Sequence, residues 1–357
     1  MLVSLYCCSG DFRTGLPRGG TPVVYLKANS VKGESALNTN ILVLLPLSAA
    51  QRELLERSAP GCAFIYSDAD SVDDEAISRA HIMIGSPGTA RLSQARHLKW
   101  LQLQSAGSDQ YVRPGVMPEG ALLTNASGAY GPAISEYMIG VLLSLYKKLH
   151  LYRDNQSGAL WRGEGEVRSI RGSTALILGL GDIGGEFARC IRALGGRTIG
   201  VRRADTKKPD YLDELYLSDS LDMLLPRADI VAMTLPATPQ TYRIMDARRL
   251  ALLGPKSVLI NVGRGTAVDT EALCDALLSG HLLGAALDVT DPEPLPADHR
   301  LWRLPGAIIT PHVAGGYHLP ATLSRIVDIS AHNLRAFLTG GNMRNVVDFT
   351  TGYRKTE

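Results

Sequence analysis

The sequence predicts an α/β protein built as two doubly wound parallel-sheet domains. Three observations carry that expectation. Short apolar runs alternate with amphipathic stretches along most of the chain, the pattern of strand–helix–strand crossovers. A Gly-, Arg- and Glu-rich stretch over residues 161–171 separates two such series. The second series opens on a glycine-rich turn, Gly179-Leu-Gly181-Asp182-Ile183-Gly184, set between an apolar run and an amphipathic one. At 357 residues the chain has room for two domains of about 150 residues each.

Residues 1–39, interrupted by Gly10, Gly15, Pro17, Gly19 and Gly20, are expected to form a weakly structured extension or to reflect an upstream start. They lack the basic region of a secretory leader. From Asn40 the pattern sharpens. Apolar runs predict strands over 41–45, 62–66, 81–85, 100–104 and 121–124. Helices are expected over 48–58, with Ser48 and Gln51 as a capping box, and over 71–78. Ile134, Met138, Val141, Leu142, Leu145 and Leu149 recur at helical spacing and predict one long helix over 134–151. The second series predicts six strands (174–179, 197–202, 229–235, 257–262, 283–289 and 307–310), with helices over 182–194, 218–225, 246–253 and 270–279.

Composition excludes several classes. Hydrophobic content of 45% and charged content of 20% are ordinary for a globular chain. A net charge of +2 gives no reason to expect a nucleic-acid or membrane-surface partner. The longest apolar helical stretch contains Glu136 and falls short of the ~20 residues that a membrane span needs. The five cysteines show no CxxC or Cys/His pairing, so no metal site or disulfide framework is expected, and a reducing, cytoplasmic setting is.

The glycine-rich turn carries chemistry because of its context. Gly179 permits a tight turn, Gly181 lets a pyrophosphate approach the backbone, and Gly184 lets the helix pack on the strand, with the helix N-terminus facing the anion. That makes the second domain Rossmann-like and dinucleotide-binding, with Asp182 and Ile183 beside the cofactor. Eighteen residues beyond Gly184, where an NAD site places a carboxylate on the ribose, the chain has Val201-Arg202-Arg203. A guanidinium can bind a 2′-phosphate bidentately, so NADP (NADPH) is favoured and NAD remains possible. The alternative is that both arginines are solvated and either dinucleotide serves.

The other polar residues gather at predicted strand ends, the edge where open α/β sheets bind ligands. Leu235 and Pro236, with Thr241 beyond them, follow the third strand of this series. Val262, Gly263 and Arg264 follow the fourth, Asp288 ends the fifth, and His312 and Gly315 follow the last. With Leu103-Gln-Ser105-Ala106-Gly107, Leu235-Pro-Ala-Thr-Pro239, the segments over 261–265, 286–296 and 310–315, and Asn345-Val-Val-Asp348, the chain resembles the D-isomer-specific 2-hydroxyacid dehydrogenases. That family includes glyoxylate/hydroxypyruvate reductases and D-glycerate, D-lactate and D-3-phosphoglycerate dehydrogenases. The resemblance covers about residues 40–353.

The resemblance implies an Arg–Glu–His triad, carried over as Arg264, Glu293 and His312. It also implies a substrate domain of residues 40–140 plus 320–357, a dinucleotide-binding domain of 141–319, a cofactor/substrate cleft between them, and a homodimer built around the long helix. Two features depart from the family: the N-terminal extension, and Arg202 where an acid is usual. Reduction of a small 2-oxo acid to the 2-hydroxy acid needs a cation on the carboxylate and an acid for the nascent alkoxide. Arg264 can supply the first and His312 the second, with Glu293 orienting the imidazole and stabilising its charged form. Ser105 and the backbone N–H groups of Ala106 and Gly107 are expected to take the substrate carboxylate from the facing domain. Asp288 is expected to accept from the nicotinamide amide, and Ile134 either touches that ring or packs in the core. The substrate pocket is expected from loops 86–89, 105–109 and 302–305. The expected function is therefore an NADPH-dependent 2-oxoacid reductase of the glyoxylate/hydroxypyruvate type. D-3-phosphoglycerate dehydrogenase fits less well with Arg202, and formate dehydrogenase, which carries Gln at the Glu293 position, is also disfavoured. A dinucleotide-binding corepressor-like scaffold shares the fold and an Arg–Glu–His set.

Overall fold

The computed structural model describes residues 38–203, 206–317 and 319–352, so the expected extension over 1–39 falls almost wholly outside the described residues. The first unit is a five-stranded parallel sheet in the order β2-β1-β3-β4-β5. Its strands are β1 (Asn40–Val43), β2 (Ala63–Tyr66), β3 (Ile82–Ile84), β4 (Trp100–Gln102) and β5 (Leu122–Thr124). The capping box forms as expected: Ser48 and Gln51 exchange side chain-to-backbone hydrogen bonds at the start of α1 (Ala49–Ser58). Helix α2 (Asp74–Arg79) begins three residues later than the sequence suggested, because Asp73 takes the cap and accepts from Ala76 N at 2.6 Å.

The single long helix is a correction. The chain forms α3 (Gly131–Tyr146) and α4 (Leu149–Ser157), broken where Lys148 takes a left-handed φ of 57°. Pro132 starts α3 earlier than the apolar period indicated, its ring being suited to a first helical turn. The break is held from outside the helix. Lys147 Nζ donates to Arg168 O at 2.6 Å, and Lys148 Nζ donates to Glu164 O.

The second unit is a parallel sheet in the order β12-β11-β10-β9-β6-β7-β8. Its elements are β6 (Thr174–Leu178), α5 (Asp182–Ala193), β7 (Arg197–Arg202), β8 (Glu214–Leu217), α6 (Leu221–Leu224), β9 (Ile230–Met233), α7 (Ala247–Leu252), β10 (Val258–Asn261), α8 (Thr270–Leu278), β11 (Gly284–Leu287) and β12 (Ala307–Ile309). Seven strands stand where six were expected. The extra one, β8, pairs only with β7 at the sheet edge and is at most half-buried, so it lacks the apolar run of a buried strand. The expected helix over 218–225 is the single turn α6 between two 3₁₀ turns. Strand order reverses between β6 and β9, the switch point where such sheets open a ligand crevice.

Helix α3 packs on α5 and on the face of β10 and β11, while α9 (Pro320–Thr339) returns to the first unit and packs on α1. Among the described residues no helix is long and apolar enough to cross a membrane. A buried polar cluster ties α9 to the first sheet. Gln102 Oε1 accepts from Thr124 Oγ1 and from Asn333 Nδ2, each at 2.8 Å, and Thr124 Oγ1 accepts from Trp100 Nε1 at 2.8 Å. Asn333 also brackets Arg344, donating to its O at 3.0 Å and accepting from its N at 2.7 Å. Asn333→Ala removes a donor to the buried Gln102 side chain and both bonds to the Arg344 backbone, at a cost of about 1–3 kcal/mol. The expected result is a lower urea midpoint, and an unchanged midpoint would remove the cluster from the account.

Candidate active site

The nucleotide turn fits a dinucleotide. Gly179 holds φ 93°, and its carbonyl accepts from Thr234 Oγ1 at 2.9 Å. A Cβ at Gly184 would overlap that carbonyl, so glycine is required where α5 crosses β6. At Gly181, by contrast, an added Cβ would meet nothing within 4 Å. The first-turn N–H groups of α5, which have no intrahelical acceptors, therefore border open space. Ile183 is half-buried and packs into the core. Asp182 contributes its backbone here, but its side chain turns away. Oδ2 accepts from Tyr130 N at 3.1 Å and Gly131 N at 2.7 Å, capping α3, which has no side-chain cap of its own.

Arg202 and Arg203 end β7 at the edge of this turn, Arg202 half-buried with its guanidinium donating to Thr206 Oγ1, and Arg203 exposed. Lys207 is exposed just beyond. Leu235 and Pro236 follow β9, and Gly263 lies directly against the Leu235 backbone. Thr241 is buried, its hydroxyl donating to Pro236 O at 2.6 Å, so its side chain staples this loop from within.

The three triad residues follow β10, β11 and β12, neighbouring strands of one sheet. Asn261, the last residue of β10, fixes the Arg264 turn from both sides. Its Oδ1 accepts from Gly263 N at 3.0 Å and its Nδ2 donates to Arg264 O at 2.9 Å. Beyond β11, Glu293 Oε1 meets His312 Nδ1 at 2.7 Å. Among the described residues Nε2 of His312 has no protein partner, and both side chains are about half exposed. His312 itself holds φ 54°.

Asp288 maintains that conformation. It is 3% exposed. Oδ1 accepts from Thr310 Oγ1 (2.6 Å) and Val313 N (2.9 Å), Oδ2 accepts from Ala314 N (3.1 Å), and the backbone carbonyl accepts from His312 N (2.8 Å). Because Thr310 gives its hydroxyl proton to Asp288, Tyr137 of α3 donates to Thr310, at 2.6 Å. Burial, with Asp288 nearby, pushes the Tyr137 hydroxyl up to about 12. Ile134 is buried in the core, and its Cδ1 faces Gly315.

The loop after β4 faces Arg264. Ser105 Oγ donates to Gly107 O at 2.7 Å, Ser105 O accepts from Ala126 N at 2.9 Å, and Ala106 O accepts from Asn125 Nδ2 at 2.8 Å. The N–H groups of Ala106 and Gly107 have no acceptor among the described residues. A Cβ at Gly107 would overlap Arg264 Nη2. Two residues on, Asp109 Oδ1 accepts from Arg264 Nη2 at 2.6 Å and from Nε at 3.2 Å, while Arg264 Nη1 donates to Gly263 O at 2.8 Å. Burial pushes the Asp109 carboxyl up, but the Arg264 guanidinium, its hydrogen bonds, the residue's own N–H and Arg113 together hold it below the usual carboxylate range. The sequence reading named this loop but gave Asp109 no role. Of the other expected pocket loops, Pro87 O accepts from Tyr111 Oη at 2.8 Å, tying 86–89 to the segment just after 105–109, and Trp302 Nε1 donates to Pro296 O at 2.9 Å. No group of three or more His, Cys, Asp or Glu side chains among the described residues could hold a metal.

Known proteins share this fold. The sequence profile of the D-isomer specific 2-hydroxyacid dehydrogenase, NAD binding domain, matches residues 139–314. A glyoxylate reductase from Thermofilum pendens is 31% identical over 260 residues, 70% of this chain and 74% of its own. Among solved structures, a D-isomer specific 2-hydroxyacid dehydrogenase family protein from Aeromonas salmonicida is 34% identical, with a TM-score of 0.77 over 87% of this chain and 99% of that one. An NADPH-dependent glyoxylate/hydroxypyruvate reductase from Sinorhizobium meliloti, solved with NADP and sulfate, is 27% identical, with a TM-score of 0.74 over 88% of this chain and 100% of its own. On these matches and this fold, the chain belongs to the D-isomer specific 2-hydroxyacid dehydrogenases, a family of NAD(P)-dependent oxidoreductases.

Proposed function

We propose that the chain reduces a small 2-oxo acid of the glyoxylate/hydroxypyruvate type to the D-2-hydroxy acid, with His312 as the general acid. The observation that carries this reading is the His312–Glu293 hydrogen bond on Nδ1, which leaves Nε2 as the open proton-bearing atom. In the reducing direction the imidazolium gives its Nε2 proton to the carbonyl oxygen as negative charge develops there. In oxidation Nε2 takes it back. Glu293 accepts the Nδ1 proton throughout and so fixes the ring's orientation. Arg264 and the N–H groups of Ala106 and Gly107 bind the substrate carboxylate from opposite sides of the cleft. When bound, the reduced nicotinamide supplies the hydride. Gly179, Gly181, Ile183, Gly184, Leu235, Pro236, Val262, Gly263 and Gly315 would line its site.

In this reading the unit of β1–β5, with α9 returning to it, is the substrate domain, and the seven-stranded unit holds the dinucleotide. The names of the Thermofilum and Sinorhizobium relatives support the substrate class. Arg202 supports NADPH, since a guanidinium attracts a 2′-phosphate that a carboxylate would repel. A homodimer is supported by Leu149, Leu160, Trp161 and Val167, which are all exposed on and after α4, and light scattering measures its mass. The five cysteines support a reducing, cytoplasmic setting, which fractionation checks.

His312→Ala should lower kcat for glyoxylate or hydroxypyruvate by about 10²- to 10⁴-fold while NADPH affinity stays near wild type. Undiminished turnover would remove His312 from the role of acid. Chiral chromatography should find the D product, and a predominantly L product would contradict the reading. The wild type should prefer NADPH over NADH by roughly ten- to a hundredfold in kcat/KM, and Arg202→Asp should reverse that order. Equal efficiency with both coenzymes in the wild type would mean that Arg202 and Arg203 do not read the 2′-phosphate.

A further inference from the structure

A guanidinium has five N–H groups, and here three are already used. Nε and Nη2 share one edge and donate to a single oxygen, Asp109 Oδ1, while one N–H of Nη1 donates to Gly263 O. Two N–H groups remain, one on each terminal nitrogen, and a pair on both terminal nitrogens matches the two oxygens of a carboxylate. Without Asp109, only the bond to Gly263 O would fix the plane of a long, rotatable side chain.

The Asp109 backbone is itself anchored. Ser108 Oγ donates to Gly352 O at 3.1 Å, and Ser108 O accepts from Tyr111 N at 2.9 Å. The same loop carries Ala106 and Gly107, whose N–H groups have no acceptor among the described residues. One rigid loop thus presents two open donors and also sets the plane of the cation opposite them.

We propose that Asp109 is a positioning residue for Arg264, holding one edge of the guanidinium across the cleft so that the remaining fork meets the substrate carboxylate. This rests on the reading that Arg264 binds that carboxylate. The opposite role would make Asp109 a resident competitor that substrate has to displace. The geometry argues against it, because Asp109 occupies the Nε edge with one oxygen and leaves the terminal pair available. Its low proton affinity keeps it an acceptor through neutral and mildly acidic pH.

The two roles predict opposite signs. With the full-length enzyme and NADPH, we would measure kcat, KM for glyoxylate, KM for NADPH, and the dissociation constant of oxalate as an unreactive carboxylate probe. Asp109→Ala should raise KM for glyoxylate and the oxalate dissociation constant roughly ten- to a hundredfold, leaving KM for NADPH and the melting temperature unchanged. Asp109→Asn keeps an acceptor oxygen and should recover part of that loss. In the Asp109→Ala background, Arg264→Ala should cost far less than it does alone, because the two side chains act as one unit. A KM that is unchanged or lower in Asp109→Ala, with Arg264→Ala still crippled, would overturn the positioning role. Loss of NADPH binding and of thermal stability in both Asp109 variants would also overturn it, by making the residue structural. If Arg264→Ala bound oxalate normally, the carboxylate reading of Arg264 would fall, and the proposal for Asp109 with it.

Discussion

The buried side chain of Asp288 accepts hydrogen bonds from Thr310, Val313 and Ala314, and its backbone carbonyl accepts from His312. Removing an acid from water without such donors would cost several kcal/mol, so the turn after β12 is folded around this one side chain. That turn holds His312 at φ 54°, a region that costs a non-glycine residue on the order of 1–3 kcal/mol and persists only when the surroundings enforce it. The consequence is directional. The left-handed backbone at His312 swings the imidazole toward Glu293 on the neighbouring strand end, giving the 2.7 Å pair. The triad therefore depends on a residue outside it.

Parallel strands explain why so much of the fold was legible. The strands of the second sheet between its two edges, β8 and β12, have buried interiors, and they read as unbroken apolar runs such as Thr174-Ala-Leu-Ile-Leu178 and Ile230-Val-Ala-Met233. The nucleotide turn was legible because its glycines answer steric demands that can be stated in advance: a positive φ at Gly179 and a carbonyl against Gly184. The rest depends on contacts between residues far apart in sequence. Glu214-Leu-Tyr-Leu217 is a strand because β7 offers it an edge, and nothing local to those four residues says so. The apolar period runs unbroken through Leu149, yet the helix stops at Lys147 because Arg168 and Glu164, arriving from the linker, take the two lysine side chains.

Carboxylates illustrate the same limit within the site. Asp109, Asp182 and Asp288 all lie in segments that the sequence marks as important, but a partner cannot be read from an aspartate's neighbours. Asp288 sits where a cofactor contact is expected, and its side chain also organises the His312 turn. Asp182 sits in the nucleotide turn and instead serves a helix in another part of the chain. Asp109 pairs with an arginine 155 residues away. In each case short-range chemistry fixed the residue type, and the tertiary fold fixed the partner.

Asp182 shows how those long-range partners tie the machinery together. Its backbone opens α5 beside the dinucleotide turn while its side chain caps the first N–H groups of α3, so two helix N-termini are held by one residue. The packing is close enough that a Cβ at Gly131 would lie 2.5 Å from Asp182 Oδ1. Helix α3 then reaches the His312 turn twice more: Tyr137 donates to Thr310, and Ile134 packs on Gly315. The nucleotide turn, α3 and the His312 turn are consequently braced as one body, although their residues span 131–315 of the chain. Any movement of the two units against each other has to be absorbed where the chain passes between them, before α3 and before α9. The Arg264–Asp109 pair spans the cleft between that braced body and the first unit, so a shift at those crossings changes the contact that holds the Nε edge of the guanidinium and leaves the His312–Glu293 pair intact.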